Sequence, residues 1–275
     1  MFSSDGRRVI AGWIALSVIL TPLVAIFLGP ALPPGSGSTQ ASEQRFDNTW
    51  LLVILTPVIS LLVVFFAYVL VVHRAPRGQD LRDGPPLRND AAVQTLWVAI
   101  SSVTVLFLAG FGTYELLQNG SGGGQGPNPI AVPNGPKMQV QVIAQQWQFT
   151  YRYPSYGGLE TPNLVLPADT QIELHVTSLD AIHSFWAYEL GMKADANPGV
   201  DNVAFLRTKG PQTFHVRCAE LCGLWHGYMF DNGRVVTQAQ FAAWVKQQQR
   251  DFAPVAKYLP AYAKTYYPDP QRRAG

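Results

Sequence analysis

A chain of 275 residues in which 48% are hydrophobic and only 14% charged, yet whose mean hydropathy is just +0.07, concentrates its apolar residues instead of spreading them. That places the chain in a membrane. The formal net charge of +2 gives no reason to expect a nucleic-acid partner.

Three runs hold the apolar excess, residues 9–29, 50–72 and 92–117, each near the roughly 20 residues that a helix needs to cross a bilayer. Arg7 and Arg8 precede the first run as in a signal peptide, but the run exceeds the roughly 7–15 residues of a signal core. Residues 1–30 are read as a signal peptide or a signal-anchor span. No cysteine follows, which excludes lipoprotein processing. Residues 31–49 are then an extracytoplasmic segment, 50–73 and 92–118 a transmembrane hairpin, and 74–91 its cytoplasmic loop. Lys and Arg accumulate on the cytoplasmic side. Arg74, Arg77, Arg82 and Arg88 follow the second run while only Arg45 precedes it, so the remainder of the chain is expected outside the cytoplasm. Trp50 fits an interfacial belt.

Residues 119–136 are a Gly-rich linker, expected to be a flexible tether. Over 137–250, the alternation in Met138-Gln-Val-Gln-Val and in Thr170-Gln-Ile-Glu-Leu-His-Val-Thr marks strands, and short strands separated by Pro and Gly turns predict a β-sandwich. Trp147, Phe149, Tyr151 and Tyr153 alternate onto one strand face. A short helix begins near Phe241, and residues 251–275 form a Tyr- and Pro-bearing tail.

The segment Cys218-Ala-Glu220-Leu-Cys222-Gly-Leu-Trp-His226-Gly-Tyr-Met229 holds both cysteines within twelve residues of sequence that also supply imidazole and thioether. Those donors suit soft copper better than hard cations. A mononuclear electron-transfer copper uses one thiolate, so a second cysteine four residues later points to two metals with bridging sulfurs and a further histidine upstream. A Cys218–Cys222 disulfide is the alternative in an oxidising compartment. Zinc is another, although tetrahedral zinc has no use for the methionine. Haem attachment requires Cys-x-x-Cys-His, which is absent.

The pattern Cys-x-Glu-x-Cys-x3-His-x2-Met resembles the dinuclear copper A (CuA) loop of cytochrome c oxidase subunit II. Asp180-Ala-Ile-His183-Ser-Phe-Trp resembles that family's segment bearing the first histidine ligand, and Lys193-Ala-Asp195-Ala-Asn-Pro198-Gly199 resembles the family's lysine, aspartate and Pro-Gly downstream of that histidine. The resemblance, over about residues 44–250, implies a membrane protein whose N-terminal helices precede an all-β cupredoxin-like sandwich. It implies that Cys218 and Cys222 bridge the coppers, that His183 and His226 each bind one, that Met229 is a weak ligand and that Glu220 supplies a backbone carbonyl. The Glu220 carboxylate would reach a magnesium or manganese shared with subunit I, and Trp147 would receive electrons from cytochrome c. Haem and CuB would lie in subunit I of a complex that also contains subunit III, in a bacterial plasma membrane, with oxygen reduction there coupled to proton pumping. Gln94-Thr-Leu-Trp97 resembles the family's Glu-x-x-Trp with Gln in place of Glu. In related oxidases that glutamate lies at the mouth of a proton pathway into subunit I, where an amide cannot carry charge; the alternative is that Gln94 only caps a helix end.

From residue 137 to 250 there are nine Lys and Arg and nine Asp and Glu. Excess negative charge would steer a diffusing basic cytochrome. A balanced domain implies a tethered c-type donor or a largely apolar contact, and Arg152 stands where the family commonly has an acid. His175 and His215 lie in strand-like runs without ligand spacing and are read as core or surface residues, and His73 as an interface residue. Two alternatives of other classes are a quinol oxidase subunit II, which shares the hairpin but lacks the copper ligands, and a membrane-anchored copper electron carrier.

Overall fold

The computed structural model describes residues 4–74, 90–119 and 122–256. Arg77, Arg82 and Arg88 of the expected cytoplasmic loop and the tail tyrosines Tyr258, Tyr262, Tyr266 and Tyr267 lie outside the described residues. The chain divides into two compact units, Met1–Leu32 with Arg45–Thr113, and Pro33–Gln44 with Tyr114–Gly275.

The first unit is helical. Its helix α1 (Ser4–Leu23) relaxes through a wider turn at Val24–Leu28 and a tight turn at Gly29–Ala31. Helix α2 spans Thr39–Val72 and α3 spans Ala91–Asn119. All three are long and apolar enough to cross a membrane. Small residues let α1 approach α2 closely, as they do between membrane helices: a Cβ on Gly12 would lie 3.0 Å from Val64, and one on Gly29 2.6 Å from Thr49. The Trp13 indole N–H donates to the Pro57 carbonyl at 2.8 Å, and the Tyr68 hydroxyl to Asp5 at 2.8 Å. These pairs run in opposite senses along the two helices, which are therefore antiparallel. At the start of α3 the cap is Asp90, whose carboxylate accepts from the backbone N–H groups of Ala92 (2.9 Å) and Val93 (3.2 Å). Gln94 lies in the first turn, so its reading as the cap is corrected.

Helix α2 begins well before residue 50 because Ser38 caps it. Its Oγ accepts from the Ala41 N–H at 3.0 Å and itself donates to the Leu190 carbonyl at 2.6 Å. Residues 33–44 consequently belong to the second unit. There the backbone N–H of Gly37 donates to Glu189 and that of Lys209 to Gly37, both at 2.9 Å, and the Gln44 side chain donates to the Gly191 carbonyl at 2.8 Å. Gly191 needs to be glycine: its φ is +59°, and a Cβ would sit 2.7 Å from the Ala41 backbone. The Gly-rich stretch is also anchored here. Lys193 N–H donates to Gly122 at 2.9 Å, Gly124 N–H to Lys193 at 3.0 Å and Gln125 N–H to Val203 at 2.9 Å. Residues 122–125 are thus held by hydrogen bonds to the rest of the second unit.

The rest of the second unit is a sandwich of two five-stranded sheets. One has the order β3-β2-β1-β5-β8 and the other β4-β10-β9-β6-β7. The strands are β1 (Met138–Gln145), β2 (Gln148–Tyr153), β3 (Leu159–Thr161), β4 (Val165–Pro167), β5 (Gln171–Ser178), β6 (His183–Ala187), β7 (Met192–Ala196), β8 (Asn202–Arg207), β9 (Gln212–Cys218) and β10 (Phe230–Val236). Pairing is parallel for β1 with β5 and β4 with β10, and antiparallel elsewhere. Alternation sends Val140, Val142 and Ala144 of β1 and Phe149, Tyr151 and Tyr153 of β2 into the core. Helix α4 (Gln238–Ala256) is longer than the short helix expected and closes the end away from the metal loop, with Phe241 and Trp244 against Tyr153 at ring separations of 6.3 and 5.3 Å. A capping box starts it, Thr237 Oγ accepting from Gln240 N–H and Gln240 Oε1 from Thr237 N–H.

Candidate metal centre

Three connections meet at one end of the sandwich: the β1–β2 turn, the β5–β6 loop and the long β9–β10 loop. Cys218 is the last residue of β9 and His183 the first of β6, and pairing of Phe185 with Cys218 fixes their register. The base of the β9–β10 loop closes where Cys218 N–H donates to the Met229 carbonyl at 3.0 Å, and Ala219 N–H reaches Ser184 at 2.9 Å. Inside, two tight bonds fold the loop back, His226 N–H to Gly223 at 3.1 Å and Met229 N–H to His226 at 3.2 Å. Gly223 has φ +111°, a conformation that only glycine takes at little cost.

The arrangement joins every residue expected to be a ligand. Cys218 Sγ lies 3.7 Å from Cys222 Sγ and 3.8 Å from His183 Nδ1, and its thiol meets the Glu220 carbonyl at 3.2 Å. Cys222 Sγ lies 3.5 Å from His226 Nδ1 and 3.8 Å from Met229 Sδ. Each sulfur therefore faces its own imidazole. A soft metal bonding sulfur at about 2.3 Å and imidazole nitrogen at about 2.0 Å holds such atoms roughly 3.5–3.8 Å apart at tetrahedral angles, so neighbouring donors here are spaced to share a soft metal. The cysteines are separate thiols, not the disulfide of the alternative reading. His183, Cys218 and Cys222 are the one such three-residue group found among the described residues. The Glu220 side chain is exposed, and its carboxylate takes no part in this cluster.

Burial, reinforced by the neighbouring Cys218 thiol, pushes the Cys222 thiol up to about 12. Asp180 goes the other way. Partial burial opposes its ionisation, but hydrogen bonds from Gln146 N–H, the His183 ring and Ala181 N–H bring its carboxyl below the ordinary range. It accepts from His183 Nε2 at 2.9 Å, which fixes the tautomer and leaves Nδ1 with its lone pair toward the sulfurs. The Asp180-x-x-His183 spacing was a legible signal for this partner, although no role was assigned to Asp180 from the sequence.

Trp147 lies just outside β2, not on the strand face it was expected to share with Phe149, Tyr151 and Tyr153. It is partly exposed, and its indole N–H donates to the Cys222 carbonyl at 3.2 Å. Around it the loops present exposed apolar side chains, Ile182, Leu221, Leu224 and Tyr228. The other histidines stand apart: His175 is buried between Asp201 (2.8 Å) and Glu173 (3.1 Å), and His215 pairs with Glu189 at 2.6 Å. Arg152 is drawn inward onto Glu160 at 3.0 Å.

Residues 159–236 match the family model described as cytochrome C oxidase subunit II, periplasmic domain. Those residues include all six candidate ligands but not Trp147. The chain is 27% identical over 283 residues to cytochrome c oxidase subunit 2 of Thermostichus vulcanus, covering 86% of this chain and 85% of that one. It is 34% identical over 122 residues to the protein of the same name from Bacillus sp. (strain PS3), covering 42% and 34%. Among solved structures, the periplasmic domain of subunit II of cytochrome oxidase of Bradyrhizobium japonicum aligns with a TM-score of 0.42 at 28% identity, covering 44% of this chain and 99% of that domain.

Proposed function

We propose that the chain is a member of the cytochrome c oxidase subunit II family, as its matches support, and that within such a haem-copper oxidoreductase it is the electron-receiving subunit, holding a dinuclear copper centre. The observation that carries this reading is the pair of buried thiols 3.7 Å apart, each facing its own imidazole. Cys218, Cys222, His183 and His226 would hold the coppers, with Met229 and the Glu220 carbonyl as weaker donors. A bound copper pair would supply one-electron redox chemistry.

The rest is done by this chain's own residues. Ligands mounted on strand ends and a loop pinned at its base rearrange little between redox states, which keeps the cost of each electron transfer low. Asp180 keeps the His183 ring oriented. Trp147 receives electrons from a c-type cytochrome and passes them through its contact with Cys222. The exposed Glu220 carboxylate would share a magnesium or manganese with subunit I, which would hold haem and CuB and be the seat of oxygen reduction and proton pumping; subunit III would complete the assembly. The apolar helices anchor the chain in a bacterial plasma membrane as a multi-pass protein with the sandwich outside the cytoplasm. The close packing of α1 on α2 supports retention of the first span. Metal analysis of the purified full-length chain is expected to give two coppers, and one copper or one zinc per chain would overturn the assignment.

A further inference from the structure

We propose that Gln146 is a positioning residue for electron transfer, one that ties the two arms of the metal site together and holds the Cys222 loop against Trp147. The proposal rests on the copper reading above. Gln146 sits between β1 and β2 and makes two different bonds. Its backbone N–H donates to Asp180 Oδ2 at 2.7 Å, and Asp180 in turn holds His183. Its side-chain amide donates to the Cys222 carbonyl at 2.8 Å. The same carbonyl accepts the Trp147 indole N–H at 3.2 Å, so both of its lone pairs are occupied.

The loop is closed at its base and Cys222 itself is buried, but the side chains flanking Cys222 and Gly223 do little to fix the backbone between them. Leu221 and Leu224, on either side of Cys222 and Gly223, are 79% and 83% exposed and add almost no packing. A Cβ on Gly223 would come within 3.1 Å of the Gln146 amide and 3.5 Å of the Trp147 ring, so the backbone lies directly against both side chains. The indole hydrogen bond leads into the Cys222 carbonyl and then along that residue's own covalent bonds to Sγ. The shorter Gln146 bond keeps the longer Trp147 bond in register, and with it the route from the ring to the sulfur.

Gln146→Met keeps the length of the side chain and removes the donor, whereas Gln146→Lys restores one. In the metal-free full-length chain on a Cys218→Ser background, where Cys222 is the sole thiol, the Met variant is expected to raise the thiol-labelling rate about fivefold, the effect of one lost hydrogen bond on local opening. In the purified complex it is expected to keep its copper while reduction by a c-type cytochrome slows about tenfold, as a slight misplacement would cause. The Lys variant should return both readings most of the way to wild type. Labelling and reduction unchanged in the Met variant, or a Lys variant as impaired as Met, would overturn the positioning role. A wild-type chain without copper would instead overturn the copper reading, and the labelling comparison would still decide the clamp.

Discussion

At Cys222 the chemistry of metal loading is set by a proton. Burial beside Cys218 raises that thiol to about 12, so the metal-free chain is protonated there throughout the physiological range, and on the proposed copper reading the metal must displace the proton. Loading should strengthen with rising pH and weaken as pH falls, by roughly tenfold per unit for each proton released; chelator competition at two pH values would check the sign. Replacing Cys218 or Cys222 by Ser is expected to abolish the dinuclear centre, because a hydroxyl is too hard to stand in for a bridging thiolate. Met229→Leu should keep its copper and shift the potential, since a weak axial ligand tunes more than it holds. Loss of all copper in that variant would show Met229 to be a structural ligand. Trp147→Ala is expected to slow reduction strongly while the copper content and optical spectrum remain those of wild type, because the residue touches the Cys222 carbonyl without ligating.

The elements that carry these residues depend on a few close approaches. In the β9–β10 ladder Gly233 pairs with Phe214, and a Cβ at Gly233 would fall 2.1 Å from the Phe214 ring. The ring lies over the glycine and cannot leave the core, being 1% exposed. Gly233→Ala should therefore destabilise the sandwich by about 1–3 kcal/mol through overpacking, read as a lower denaturation midpoint of the full-length chain. A midpoint unchanged from wild type would mean that the ring can move aside. Since β9 and β10 support both ends of the metal loop, copper retention should fall along with stability in this variant. Thr237→Ala is milder, about 1 kcal/mol for a lost helix cap.

Over the whole molecule, charge decides how a donor is found. The outer domain balances nine bases against nine acids between residues 137 and 250, and the buried Arg152 is neutralised by the partly exposed Glu160 at 3.0 Å. Apolar side chains surround the Trp147 end instead. Reduction by a c-type cytochrome should therefore depend only weakly on ionic strength, whereas a steered encounter loses rate steeply once the Debye length shortens to about 8 Å at physiological salt. Stopped-flow reduction of the intact complex over a range of salt would separate the two, and a steep slope would show that charges outside this domain capture the donor.

Local chemistry made much of this protein legible from residues alone. Apolar runs of bilayer length mark candidate spanning helices, and alternation over β1 and β5 marks strands, although the assembled domain buries both faces of each in mid-strand. The candidate metal loop stands out because its possible donors lie within twelve residues of one another, and His183 because Asp180 and Ser184 flank it in a recognisable segment. Contacts between distant residues were not legible. Neither the anchoring of 33–44 and of the Gly-rich stretch on the turn at Gly191, nor the inward turn of Arg152, leaves a mark in local composition, since each is set by hydrogen bonds that exist only once the sheets are assembled. The same holds for Gln146, which is separated from Cys222 by 76 residues of chain. Pairing of Phe185 with Cys218 brings the two histidine-bearing segments together, and only that register turns a list of donors into one buried site.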